Sequence, residues 1–144
     1  MNEIEKERLK QINHFSKKTL METLQIEFTE VGKEYLVATM PVTPRVHQPM
    51  GYLHGGASIA LAESLGSCLS HISIAAEDVE NYNVFGLEVS ANHIKSKREG
   101  YVKGIAKMRH KGRTTHLINI EIFDEKGNLI SMVKMTNIVV SKKK

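Results

Sequence analysis

One carboxylate, Glu63, lies in a run of small and apolar residues, Ala57-Ser58-Ile59-Ala60-Leu61-Ala62-Glu63-Ser64-Leu65-Gly66-Ser67-Cys68. The run starts at a glycine pair, Gly55-Gly56, after the Pro/Gly turn His47-Gln48-Pro49-Met50-Gly51-Tyr52-Leu53-His54. A helix beginning at Gly55 places unpaired backbone N–H groups, and the positive end of its dipole, where a ligand can approach. Glycine leaves such an N–H uncovered. Donors for a developing oxyanion and a carboxylate set among apolar residues are two parts of acyl-transfer chemistry. With Ala60, Leu61, Ala62 and Leu65 as neighbours, Glu63 is expected to be partly buried. Its pKa would then rise above the usual ~4.3, which suits a general base or a nucleophile. Ser67, at i+4, shares its helical face and would bond the carboxylate, hold a water or simply pack.

Gly55 and Glu63 are eight positions apart (63 − 55). At about 1.5 Å per residue that is ~12 Å along one helix. Both groups must lie within ~3–4 Å of one reacting carbonyl, a demand that a single helix does not readily meet. Two antiparallel helices across a two-fold axis do meet it, with Gly55 of one subunit facing Glu63 of the other. The spacing predicts a site shared by two copies and an inactive monomer.

Four segments carry a family pattern: His54-Gly55-Gly56-Ala57-Ser58 with Leu61-Ala62-Glu63-Ser64, Gly86-Leu87-Glu88-Val89-Ser90-Ala91-Asn92-His93-Ile94-Lys95-Ser96, Arg98-Glu99-Gly100, and Ile120-Glu121-Ile122-Phe123-Asp124-Glu125-Lys126-Gly127. Together they resemble hotdog-fold acyl-CoA thioesterases. Within that superfamily they are similar to the branch acting on 4-hydroxybenzoyl-CoA, 1,4-dihydroxy-2-naphthoyl-CoA and related aryl-CoA thioesters, the phenylacetic acid degradation-related thioesterases. The resemblance spans roughly residues 20–140.

It implies that Glu63 attacks the thioester carbonyl or activates a water, and that the Gly55 N–H receives the thioester oxygen. Gln48 would hydrogen-bond near the thioester. His54 is either an orienting residue or loop packing. The segment from Gly86 to Ser96 would be the central strand, with His93-Ile94-Lys95-Ser96 lying along bound coenzyme A and His93 nearest the acyl end. The other reading of His93 is a hydrogen-bonded sheet histidine. Gly86 inside a strand marks close approach by a ligand or by backbone. His110-Lys111-Gly112-Arg113-Thr114-Thr115 matches the family's nucleotide-side loop in content, but Arg113 precedes Thr114, whereas relatives commonly place the hydroxyl first. Met50, Tyr52, Leu53, Leu65 and Cys68 are candidate acyl-pocket residues. Coenzyme A is part of the substrate, so no separate cofactor is expected. The resemblance also implies dimers assembled into tetramers.

The elements that must position these groups follow from periodicity. A polar N-terminal segment, 1–18, reads as a helix over 3–18 with Ile4, Leu9, Ile12 and Phe15 near one face. A short turn over 19–23 precedes strands 24–29 and 35–40, joined by Val31-Gly32-Lys33. An ordered loop over 41–52 leads into a helix over 55–75 that is small and apolar on nearly every side, as in a helix that is wrapped. After a polar loop over 77–82, strands are expected over 84–95, 101–110, 114–123 and 129–140, ahead of a basic tail over 141–144. The class is α+β in one domain over 1–144, with about six antiparallel strands and one long helix; the resemblance implies that the sheet wraps around that central helix, the hotdog fold. Such a sheet leaves a long edge strand to protect, which pairing across a two-fold would do, so at least a dimer is expected.

Composition narrows the field. Net charge is +4, yet there is no Trp and aromatics are 6%, so basic residues have no stacking platform and nucleic-acid binding is set aside. Positive charge is better used on the phosphates of coenzyme A. Cys68 is the single cysteine, which excludes a disulfide framework or a cysteine zinc site within one chain. Among seven histidines no H-x-x-x-H or H-E-x-x-H pair occurs, so no metal is expected, and no G-x-S-x-G elbow supports a serine hydrolase. No apolar run approaches the ~20 residues of a membrane helix. The charged first residues do not read as a secretory signal, and a cytoplasmic protein is expected. Discharge of an acyl or aryl carrier protein is a second enzymatic reading, and a non-catalytic acyl-CoA binding domain a third. Glu63 discriminates against the third, because a sensor needs no carboxylate beside the thioester. A hydratase lacks its usual Asp/His loop pair here.

Overall fold

The computed structural model describes residues 1–142. The last two residues of the expected basic tail, Lys143 and Lys144, lie outside the described residues. The strands are β1 (Glu27–Val31), β2 (Tyr35–Pro41), β3 (Tyr82–His93), β4 (Tyr101–Lys111), β5 (Thr115–Asp124) and β6 (Leu129–Ser141). The helices are α1 (Glu3–Phe15), α2 (Leu20–Thr23) and α3 (Gly55–Ile72). These match the elements expected from the sequence to within a few residues at each end.

Two-residue alternation builds one apolar face of the sheet. Val102 and Ala106 on β4, Ile118, Ile120 and Ile122 on β5, and Val133 and Met135 on β6 are all buried. Leu36, Ala38 and Met40 continue that face on β2. All pairings are antiparallel, in the order β1-β2-β4-β5-β6-β3. Helix α3 lies on this face through Leu61, Ala62, Leu65 and Leu69, none of them exposed. The approach is close because two glycines stand in it. A Cβ on Gly104 would sit 2.5 Å from Leu65 Cδ1, and one on Gly66 would sit 2.5 Å from Met135 Sδ.

Three expectations are corrected. First, α3 is not covered on nearly every side: Gly56, Glu63 and His71 are exposed, because the sheet packs on one face of the helix only. Second, the apolar face of α1 is shorter than the sequence suggests. Ile12 is buried and Leu9 half-buried, while Ile4 and Phe15 are exposed at 68% and 74%. Third, the strand carrying Gly86 is not central: β3 pairs with β6 alone and forms an edge.

The two sheet edges differ. The β1 edge is capped by α1, where Asn13 Nδ2 donates to the Phe28 carbonyl at 2.8 Å and Asn13 Oδ1 accepts from the Phe28 N–H at 2.9 Å. That amide stands in for a neighbouring strand. No element among the described residues covers the β3 edge, and it presents Phe85 and Leu87, 55% and 59% exposed. A register shift between Gly86 and Glu88 adds a bulge there.

Candidate active site

The turn before α3 is pinned from several sides. His54 N–H donates to the Val46 carbonyl (2.8 Å), Leu53 N–H to the Lys97 carbonyl (2.7 Å), and His47 Nε2 lies 2.8 Å from the Arg98 carbonyl. The Arg98 guanidinium stacks 4.8 Å from the centre of the Tyr52 ring. The turn therefore delivers the helix start in a fixed place. His54 is the N-cap: its Nδ1 accepts the Gly56 N–H at 2.8 Å. Of the two readings of His54, the geometry describes a capping residue that orients the helix start. With Gly56 N–H so engaged, the Gly55 N–H is left without a partner among the described residues.

The Gly55 amide opens into a cleft of about 510 Å³ lined by Gln48, Met50, Tyr52, Leu53, Gly55, Ser58, His93, Ile94, Lys95, Ser96, Lys97, Ile130 and Ser131. Gln48 Oε1 accepts the Met50 N–H, leaving the carboxamide N–H groups as its free donors. His93 presses against Gly55: a Cβ there would lie 2.7 Å from His93 Nε2. The structure thus brings together Gln48, Gly55 and the His93–Ser96 segment in one cleft.

Glu63 is elsewhere. It lies in a second cleft, of about 440 Å³, with Thr19, Leu20, Met21, Gly56, Ile59, Ala60, Ser64, Ser67 and Cys68. Contrary to the expected partial burial, Glu63 is exposed, because α3 turns this face away from the sheet. Ser67 shares its cleft, and Ser64 does too, although the Ser64 hydroxyl donates to the Ala60 carbonyl at 2.7 Å. A third, more apolar hollow of about 490 Å³ continues the second through Met21, Ser67 and Cys68, and adds Ile12, Phe15, His71, Ile72, Tyr82, Asn83, Val84 and Lys142. Burial pushes the Cys68 thiol up to about 12, so it is an apolar wall and not a thiolate. Leu65 is fully buried against Gly104 and lines none of these clefts, which removes it from the candidate pocket residues.

The remaining expected segment, His110–Thr115, is at the other end of α3. Gly112 N–H donates to the Thr115 carbonyl at 2.8 Å, and Lys111 Nζ donates to the carbonyl of Ser73, the C-cap of α3. His110, Arg113 and Thr114 are exposed there. In one chain, therefore, the two expected coenzyme A segments do not meet: α3 has 18 residues and separates them by roughly 27 Å. Gly86 is exposed on β3, and a Cβ there would lie 3.2 Å from Met135 Cε and 3.8 Å from Asn137 Oδ1; the close approach comes from side chains of β6.

A model of the thioesterase superfamily matches residues 50–131. The chain belongs to that superfamily. The chain is 42% identical over 132 residues to the 1,4-dihydroxy-2-naphthoyl-CoA hydrolase of Escherichia coli, covering 92% of this chain and 94% of the relative. It is 40% identical over 132 residues to a proofreading thioesterase of Cronobacter turicensis, covering 92% and 93%. Among solved structures, a thioesterase of Pseudomonas aeruginosa superposes with a TM-score of 0.89 at 40% identity, covering 93% of this chain and 94% of that one. A thioesterase of Haemophilus influenzae gives 0.87 at 34%, covering 92% and 90%. The hotdog fold and the thioester-hydrolase class expected from the sequence are both borne out.

The thioesterase has site-lining residues that sequence reasoning passed over. Ser131 on β6 is fully buried and bonds His93 Nδ1 at 2.8 Å. Thr19, the N-cap of α2, and Leu20 and Met21 on α2 wall the Glu63 cleft. They precede the segment that matches the superfamily model, and nothing in their spacing pointed to α3. None of the described helices is long and apolar enough to cross a membrane.

Proposed function

We propose that this thioesterase hydrolyses an aryl-CoA thioester to the free acid and coenzyme A at a site built by two copies of the chain. The separation of the two clefts along α3 carries the reading: the Gly55 amide and Glu63 open into different hollows of one chain. A second copy, with its α3 antiparallel to the first, sets Gly55 of one opposite Glu63 of the other. The bare β3 edge, with Phe85 and Leu87, is the surface that such pairing would cover. The same operation carries His93–Ser96 of one copy toward His110–Thr115 of the other, so that basic groups from both can meet the phosphates of coenzyme A. Dimers of this kind can assemble further into tetramers.

In that site the thioester oxygen accepts from the Gly55 N–H, and a Gln48 N–H orients the acyl group. Glu63 either draws a proton from an attacking water or itself attacks the carbonyl. Both routes pass through an oxyanion at Gly55 and release the coenzyme A thiolate, which takes up a proton; in the second, the acyl–Glu63 anhydride so formed is then cleaved by a water, which frees the acid and restores the carboxylate. Ser67 steadies the carboxylate or its water from one turn away. Water is the one co-reactant, and a coenzyme A ester as substrate suits a cytoplasmic enzyme.

An aromatic acyl group is supported by the relatives that act on 1,4-dihydroxy-2-naphthoyl-CoA, in Escherichia coli and, at 42% identity, in Listeria monocytogenes. It is supported too by the apolar hollow beyond Ser67 and Cys68, walled by Ile12, Phe15, Ile72 and Val84. A second reading, in which the acyl group arrives on a carrier protein, rests on the pantetheine arm that such a carrier shares with coenzyme A and that would enter the same cleft.

Release of free thiol from acetyl, palmitoyl, benzoyl, hydroxyphenylacetyl and hydroxynaphthoyl-CoA would test this, with wild type and Glu63→Gln side by side. The expected result is turnover concentrated on the aryl members and reduced by ~10²-fold or more in the variant. Turnover of palmitoyl-CoA alone would overturn the aryl assignment. Full activity in Glu63→Gln would overturn the role of Glu63. No turnover of any coenzyme A ester, with acylated carrier protein discharged, would establish the second reading.

A further inference from the structure

We propose that Ser131 fixes the tautomer of His93 and so makes His93 Nε2–H a second hydrogen-bond donor beside the Gly55 amide. This rests on the thioesterase reading of the site given above. Ser131 and His93 are register partners across β6 and β3, so the sheet sets their meeting and not a loop. Ser131 is not exposed at all, and its hydroxyl has one side-chain partner among the described residues, His93 Nδ1 at 2.8 Å.

Counting hydrogens assigns the direction of that bond. If Nδ1 carried the ring proton, it would donate to Ser131 Oγ, and the hydroxyl hydrogen would be left in the interior without an acceptor. A buried polar group without a partner costs about 1–3 kcal/mol. If the hydroxyl donates to Nδ1, both groups are satisfied and the neutral ring carries its proton on Nε2. Nε2 is the ring atom turned to the helix start, 2.7 Å from where a Cβ of Gly55 would be. Ser131, His93, Gly55 and Gln48 line one cleft.

Two N–H groups of different origin therefore flank the same space. One is a backbone amide at a helix N-terminus, and the other is a neutral imidazole held by a buried hydroxyl. Both gain strength as the carbonyl oxygen takes up charge, and neither has to move or to give up its proton. His93 would then touch the reacting oxygen, while Ser131 acts through His93 as a positioning residue.

Nitrogen-15 NMR of histidine-labelled protein, with His93→Gln to assign the signals, reads the tautomer directly and without substrate. Wild type should carry the proton on Nε2. Ser131→Ala should release His93 to a mixture of tautomers and lower kcat on the preferred thioester by ~10- to 10²-fold with KM little changed. Ser131→Thr, which keeps the hydroxyl, should restore both. A proton on Nδ1 in wild type overturns the proposal, as does an unchanged kcat in Ser131→Ala. Equal loss in Ser131→Ala and Ser131→Thr with the tautomer unmoved assigns Ser131 to packing and also overturns it. An Nε2–H tautomer in a protein that hydrolyses no thioester would leave the pairing standing, and both the function proposed above and the catalytic part of this inference would fall.

Discussion

Glu63 stands on an open face of α3 and makes no hydrogen bond among the described residues. Its replacement by Gln should therefore leave the melting temperature within about two degrees of wild type, because surface changes away from contacts alter stability by under ~0.5 kcal/mol. Thermal unfolding of the variant used in the activity assay checks this, and a large fall would mean that the carboxylate has a structural partner. His116 is the contrasting case. It is buried, its Nδ1 has no hydrogen-bond partner, and burial, followed by the nearby Lys111 charge and His110, lowers its pKa below the usual 6.5. The folded chain thus resists protonating this ring while the unfolded chain does not. Between the usual value and the lowered one the unfolded state binds more protons, so stability falls as pH drops below about 6.5 and is retained above it. Urea midpoints at pH 7.5 and 5.5 should show that loss in wild type, and it should shrink in His116→Gln. An equal loss in both would assign the pH effect to other groups.

Packing of α3 on the sheet depends on side chains that are missing. Gly104→Val would push methyls into Leu65 and Leu61, with an expected loss of about 1–3 kcal/mol, read as a lower urea midpoint with an unchanged slope. Asn13→Ala would remove both bonds to the Phe28 backbone. It should cost about 1–3 kcal/mol and leave the β1 edge bare, which hydrogen exchange at Phe28 would detect as faster. The strands and α3 were legible because their apolar residues repeat at periods of two and near 3.6, as in Ile118, Ile120 and Ile122, or Leu61, Leu65 and Leu69. The Glu63 and Gly55 segments were legible because glycine, a carboxylate and small residues are rare in that order. Three features were not legible. The exposure of Glu63 depends on which side of α3 the sheet takes, and a helix apolar all round does not say. The edge position of β3 depends on strand order, which alternation leaves open. The Ser131–His93 bond joins residues 38 apart through the sheet register alone.

At the scale of the whole molecule, one chain holds both halves of the proposed site but not in reach of each other. Inactive variants of opposite halves should therefore complement. Gly55→Ala drives a methyl into His93, and Glu63→Gln removes the carboxylate. Co-expressed and purified through one shared tag, so that hybrids are not selected, the two should regain about a quarter of wild-type activity, since half of randomly paired dimers are hybrids with one intact site each. Silent hybrids would show that each chain works with its own Glu63.

The bare β3 edge also bears on how the protein comes to be folded. A chain can finish its core alone, since the buried residues of α3 and the sheet lie within one copy. It then displays a twelve-residue strand whose outer hydrogen-bonding groups are open to any other strand. Refolding then has two demands on concentration: half-finished chains either complete folding, a first-order step, or misjoin their edges, a step second order in protein, while the folded chains must still meet in the correct two-fold encounter. Yield should peak at an intermediate concentration.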